Sequence, residues 1–181
     1  LDQSASYSYD ATGQLVSVTR PQQQSESYAY DLSGNRSGTE IIVGPGNRVE
    51  RDARFVYEYD AEGNRTKRIE LVNGQPVGQR VDYQWDHRNR LTSVQHFDTG
   101  GALQKTVTHR YDALDRRINR QVSSGSATKN SAFLYDSDRL VSELNASGGV
   151  EHSYLEGPEI DQLFADDRGL AGVLYPLADQ Q

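Results

Sequence analysis

The side chains best able to do chemistry in this 181-residue chain are four histidines, at 87, 96, 109 and 152, and two close carboxylate groups. No two of the histidines form a His-x-His or His-x-x-x-His pair, the spacing that brings two imidazoles onto one metal ion. Asp136-Ser137-Asp138 and Asp166-Asp167 crowd carboxylates that could bind calcium or divide acid and base work in glycoside hydrolysis. Both groups also read as turns, which predicts simple exposure instead. His87 lies in a turn too. Cysteine is absent, so thiolate metal sites, thiol nucleophiles and disulfides are excluded. There is no Gly-x-Ser-x-Gly, no phosphate-binding glycine loop and no EF-hand spacing. Three glycosylation sequons begin at Asn35, Asn64 and Asn145, two of them by-products of a repeat described next. These observations predict no enzyme, no cofactor and no metal site.

The turns that hold those aspartates organise the chain. In Tyr57-Glu58-Tyr59-Asp60-Ala61-Glu62-Gly63-Asn64-Arg65, the two tyrosines are two residues apart, so an extended strand puts both rings on one face. Asp60 suits the first position of a type I turn, where its carboxylate accepts a backbone N–H two residues on, and Gly63 suits the fourth. Arg68 onward alternates as a return strand. The unit is a β-hairpin.

Copies recur along the chain. Two are close: Tyr7 to Leu15, with Tyr9, Asp10 and Gly13, and Tyr28 to Arg36, with Tyr30, Asp31 and Gly34. Three are degraded, carrying Trp85 and Asp86, Tyr111 and Asp112, and Tyr135 and Asp136. Asn89 and Asp115 replace glycine in the first two of these, and both side-chain types tolerate a left-handed backbone. The turn aspartates 10, 31, 60, 86, 112 and 136 are separated by 21, 29, 26, 26 and 24 residues. That period predicts a repeat array. Tyr9, Tyr30, Tyr59, Trp85, Tyr111 and Tyr135 share one repeat position, so they are expected to stack as a ladder along one face.

Tyr-Asp-x-x-Gly-Asn-Arg returning every two dozen residues resembles the YD repeats of bacterial Rhs proteins, which are related to teneurins. The resemblance implies hairpins joined edge to edge into one coiling sheet, a segment of a hollow β-shell around a toxic polypeptide. It further implies a secreted or cell-surface setting within a larger bacterial protein. The implied partners are flanking YD repeats and an enclosed C-terminal polypeptide. Tyr154-Leu155-x-Gly157-Pro158-x-x-Asp161 resembles the opening of the Rhs core, although Glu159 stands where a small residue is expected. Residues 1–149 are therefore assigned to six repeats and 150–181 to the start of that core, truncated before the aspartate-based self-cleavage site of the family.

Composition agrees with a sheet that has at least one wet face. Only 35% of residues are hydrophobic, with four Phe and one Trp, while eleven Tyr supply rings whose hydroxyls can reach water or backbone. Sixteen Gly and five Pro fit many turns. A net charge of −7, spread along the chain, disfavours nucleic acid as a partner. The pairs Lys67-Arg68 and Arg116-Arg117 are expected to be solvated. The most apolar stretch, Leu170 to Ala178, is too short to span a membrane and contains Pro176. No methionine is present and a strand follows Leu1 at once, which predicts an excised segment with unpaired strand edges that self-associates.

Further turns are expected at Gly44-Pro45-Gly46-Asn47, Asn73-Gly74, Asp98-Thr99-Gly100-Gly101, 123–126 and Asn145 to Gly149, with Val49 to Tyr59 as one leading strand. Two functions of different class remain open: a structural segment that encloses or presents a polypeptide, and a carbohydrate-binding or adhesion module whose tyrosines stack on sugars.

Overall fold

The computed structural model describes residues 4–38, 40–157 and 163–175. Pro158, Glu159, Asp161 and Pro176 lie outside the described residues. The chain divides into two compact units, Leu1–Gly78 and Gln79–Gln181. Both are antiparallel β, as the alternating tyrosines and the turn signals require.

In the first unit, β1 (Ser6–Tyr9), β2 (Leu15–Thr19) and β3 (Glu26–Ser27) form a three-stranded sheet, and β4 (Ala29–Tyr30) pairs with β5 (Arg36–Ser37). Then β6 (Ile42–Gly44), β7 (Arg48–Arg51), β8 (Phe55–Tyr59) and β9 (Arg65–Glu70) pair in chain order. The expected single strand from Val49 to Tyr59 is broken. Asp52 Oδ1 accepts the N–H groups of Arg54 (2.7 Å) and Phe55 (2.8 Å), so the carboxylate replaces ladder partners and turns the chain between β7 and β8. At Asn73-Gly74, φ is 51° and 77°, and Val72 and Gln75 exchange both backbone hydrogen bonds across a two-residue type I′ loop.

In the second unit nine strands follow one another in order. They are β10 (Arg80–Trp85), β11 (Leu91–Phe97), β12 (Leu103–Tyr111), β13 (Arg117–Ser124), β14 (Ala127–Asp136), β15 (Arg139–Leu144), β16 (Val150–Glu156), β17 (Leu163–Asp167) and β18 (Val173–Leu174). Asp166 and Asp167 therefore end a strand, where the sequence pattern predicts the start of a turn; the turn begins at Arg168.

A bulge follows the turn in five of the six repeat hairpins, and the hairpins between repeats carry similar shifts. Tyr59 pairs with Arg65 but Glu58 with Lys67, leaving Thr66 extra. By the same shift Val16, Thr92, Ile118 and Val141 are the extra residues in their hairpins. Each bulge adds right-handed twist beside the loop.

The core is thin. Among the described residues the buried apolar side chains are Val18, Val81, Val107, Phe133 and Ala165. Much of the cover over the rings comes from arginine. Arg68 lies 4.5 Å from the Phe55 ring centre, Arg65 4.4 Å from Tyr57, Arg80 4.1 Å from Phe97 and Arg117 4.8 Å from Phe133. A guanidinium can lie flat on a ring while its methylene stem excludes water, which serves strands with few buried apolar neighbours. Arg68 and Arg117 thus stack on rings, Arg117 while staying exposed as expected, and Lys67 is half-buried and pairs with Glu58 at 2.8 Å.

Candidate functional site

The recurrent site is the turn. In the first copy Asp10 Oδ1 accepts the N–H groups of Thr12 and Gln14, both at 2.9 Å, and the Asp10 carbonyl accepts that of Gly13. One carboxylate oxygen thereby replaces two missing ladder acceptors. Asp31, Asp86 and Asp112 hold their turns in the same way, through Ser33 and Asn35, Arg88 and Arg90, and Leu114 and Arg116. Asp60 accepts from Asn64 N at 2.8 Å.

The fourth turn residue takes a left-handed backbone in each of these copies: φ is 83° at Gly13, 81° at Gly34, 93° at Gly63, 58° at Asn89 and 64° at Asp115. The sixth copy is built differently. Asp136 pairs directly with Arg139 across a two-residue loop, and it is Ser137 that has positive φ, 54°.

The same box recurs where no tyrosine announces it. Asp98 Oδ1 accepts from Gly100 and Ala102 at 2.9 Å, with φ 81° at Gly101. Asn145 Oδ1 accepts from Ser147 (3.0 Å) and Gly149 (2.9 Å), with φ 83° at Gly148. Their Asp/Asn-x-x-Gly spacing was the available signal.

The ladder tyrosines meet backbone and arginine. Tyr30 OH donates to Leu15 O, Tyr59 OH to Val49 O, Tyr111 OH to Leu91 O and Tyr135 OH to Arg117 O, all at 2.8–2.9 Å. For Tyr59, Tyr111 and Tyr135 the hydroxyl of one hairpin so anchors on the preceding strand, and for Tyr30 in β4 on β2. Copies are two strands apart, about 10 Å at ordinary strand spacing, so ring-on-ring stacking between them is replaced by an intervening arginine. Arg48 lies over Tyr59, Arg90 over Tyr111 and Arg116 over Tyr135, at 5.6, 5.0 and 5.2 Å. Trp85 pairs with Leu91 at the corresponding position. Tyr9 is 61% exposed.

Those arginines tie one turn to the next in the second unit. Arg90 grips its own Asp86 (Nε to Oδ2, 2.8 Å) and donates to Asp112 O (3.1 Å) and Asp115 Oδ1 (2.8 Å) of the following turn. Arg88 adds bonds to Ala113 O and Asp115 Oδ2. Arg116 repeats the arrangement, holding Asp112 at 2.7 Å and donating to Ser137 O. The hydrogen bond from Arg90 holds the Asp86 carboxyl down at about 2, against the opposing effect of burial. Burial, and then the hydrogen bond to Asp52, push the Tyr57 hydroxyl up to about 12.

One further cluster was not legible as such. Buried Asp166 accepts from Arg168 Nε at 2.7 Å and lies 2.9 Å from His152 Nδ1, whose ring stacks on Tyr154 at 5.9 Å. These contacts outweigh burial and lower the Asp166 pKa. The carboxylate is fully engaged, so the cluster closes the β16–β17 pair and offers no free acid. No group of three or more His, Cys, Asp or Glu suited to a metal occurs among the described residues, and no helix there is long and apolar enough to cross a membrane.

Comparison with known proteins bears on this turn-built sheet. The chain is similar to the toxin protein Tse5 of Pseudomonas aeruginosa, 29% identical over 77% of this chain and 13% of that protein. It is similar to mouse teneurin-4, 29% identical over 91% of this chain and 5% of that protein, so it spans a small part of either relative. The crystal structure of TcdB2-TccC3-Cdc42 aligns over 97% of this chain and 9% of its own, with 14% identity and a TM-score of 0.49. The sequence profile described as Teneurin YD-shell matches residues 2–156, and the chain accordingly belongs to the teneurin YD-shell family, of Rhs type.

Proposed function

We propose that this chain is a wall segment: a structural stretch of a larger secreted or cell-surface protein, enclosing or presenting another polypeptide of its parent. It performs no reaction itself. The carrying observation is the combination of strands that pair in chain order with very few buried apolar side chains. Such a sheet grows by one hairpin at a time and leaves two broad faces, whereas a globular domain folds its sheet onto a core. The repeated turn aspartates and the tyrosine and arginine ladder serve that role as fasteners, and flanking repeats and the enclosed polypeptide are the partners. The relatives Tse5, a toxin protein, and teneurin-4 support the setting.

The test is protease protection in the parent protein. A polypeptide C-terminal to this segment should resist digestion while the repeats are intact and become sensitive once they are opened by denaturant. Digestion at the rate of the free polypeptide in the native parent would remove the reading. A carbohydrate-binding alternative rests on Tyr7 and Tyr9, 56% and 61% exposed on one strand. Glycan-array binding abolished by Tyr7→Ala would favour it.

A further inference from the structure

The two faces of the second unit differ in chemistry, and pairing register assigns each side chain to one of them, because residues opposite one another across antiparallel strands share a face. On one face Tyr83, Val94, Val107, Val122 and Lys129 form a row across β10 to β14. That face also takes buried Val81 and Phe133, with His109, Arg120, Glu143 and His152. The opposite face carries two rows of another kind. One runs Gln84, Ser93, Thr108, Gln121, Asn130, and its neighbour runs Asp82, Gln95, Thr106, Ser123, Thr128.

Nine of these ten side chains are neutral amides or hydroxyls, in a chain with 45 charged residues. The rows contain no aromatic ring. Trp85 and Tyr111 fall, by alternation, with Tyr83 and Val107 on the first face. Amides and hydroxyls each donate and accept. Set at strand spacing, about 4.8 Å apart along a row, those that reach the surface, which excludes buried Ser93, can satisfy peptide groups of any sequence without selecting on charge.

We infer that the Gln84–Asn130 and Asp82–Thr128 rows form a contact surface for the main chain of an unfolded polypeptide, recognised through its peptide groups. Sugars are the poorer fit, because the Phe97 ring, which the register places on this face beside Gln95, is covered by the Arg80 guanidinium at 4.1 Å. The inference rests on the enclosing role proposed above and adds which face meets the occupant.

The experiment maps binding of an uncharged, unfolded 30-residue peptide of Gly, Ser, Asn and Ala to the isotopically labelled 181-residue chain by NMR, with cellohexaose as a comparison. The expected result is shift changes confined to residues of the two rows. The pair Thr108→Val with Gln121→Met removes two hydrogen-bonding groups at similar volume and should weaken binding about tenfold. Lys129→Ala, on the other face, should leave it unchanged. Unaltered affinity in the double variant with native circular dichroism would overturn the inference, as would tighter binding of cellohexaose at the rows. Peptide binding to the Val94 and Val107 face would overturn the face assignment while leaving the enclosing role intact. Protease sensitivity in the parent protein removes that role independently.

Discussion

The turns of the first unit and those of the second solve one problem with side chains of different reach. Asn35 follows Asp31 by four residues; its amide returns to Asp31 Oδ2 (3.0 Å) and makes one exposed bond to Asn47 Oδ1 (3.1 Å) of the next loop. Arg90 holds the same place after Asp86, with its side chain only 19% exposed, and makes two charge-assisted bonds to the next turn while covering a ring. The difference teaches that the repeat separates two tasks. The aspartate and the left-handed fourth residue close each turn, and the residue after them decides how firmly that turn is bound to its neighbour. Glycine is lost where the long side chain is present. At Asp115 its replacement also becomes the acceptor for Arg88 and Arg90, so one substitution keeps the backbone geometry and adds a tie.

The largest contrast should come from the rings. Phe133, 6% exposed beneath Arg117, should cost about 3–5 kcal/mol when truncated to Ala, whereas Tyr9→Ala on its 61% exposed ring should stay within about 0.5 kcal/mol. Equal losses in chemical denaturation would erase the distinction between the regions. Next in size, Arg90→Ala should lower the melting midpoint clearly more than Asn35→Ala, because it releases Asp112 and Asp115 together with the cover on Tyr111. The reverse order would mean that reach is irrelevant.

Smaller effects test the closing of single turns. Gly63 has φ 93°, so Gly63→Val should destabilise by about 1–2 kcal/mol through backbone strain, while Gly63→Asn should cost much less, as Asn89 does the same work in the second unit. Matching losses for Val and Asn would contradict the conformational argument.

Titration should separate the regions again. The Asp86 carboxyl sits at about 2, below the ordinary range near 4, so its ionised form favours folding. That contribution is fully present above about pH 4 and is lost as pH falls towards 2; Arg90→Ala should flatten this acid limb. Tyr57 is opposite in sign. Its neutral hydroxyl is favoured up to about 12, so its contribution is complete below about pH 10 and declines as pH rises beyond, a limb that Tyr57→Phe should remove. Denaturation midpoints measured across both ranges are the check.

Legibility followed reach as well. Asp-x-x-Gly fixes a turn within four residues, so Gly13, Gly34 and Gly63, and even Asn89 and Asp115, could be placed by local stereochemistry. Asp52 could not, since Asp52-Ala53-Arg54 carries neither glycine nor proline, and only its carboxylate's bonds reveal the break. The ties made by Arg90 and Arg116 are not legible locally, because their partners lie 22 to 25 and 21 residues away and depend on how neighbouring hairpins twist. Asp166 meets His152 through the β16–β17 register, which adjacency to Asp167 disguised as a turn.

The measurement closest to the account's centre is a double-substitution cycle between Arg90→Ala and Asp115→Asn, read as denaturation midpoints at moderate salt. Asn keeps the left-handed tolerance of position 115, so the cycle isolates the tie between consecutive turns. If that tie joins the hairpins, the two shifts will not add: Asp115→Asn will cost less in the Arg90→Ala background than alone, the remainder being its bond to Arg88. Strict additivity would show that consecutive turns stand independently and that arginine fastens nothing.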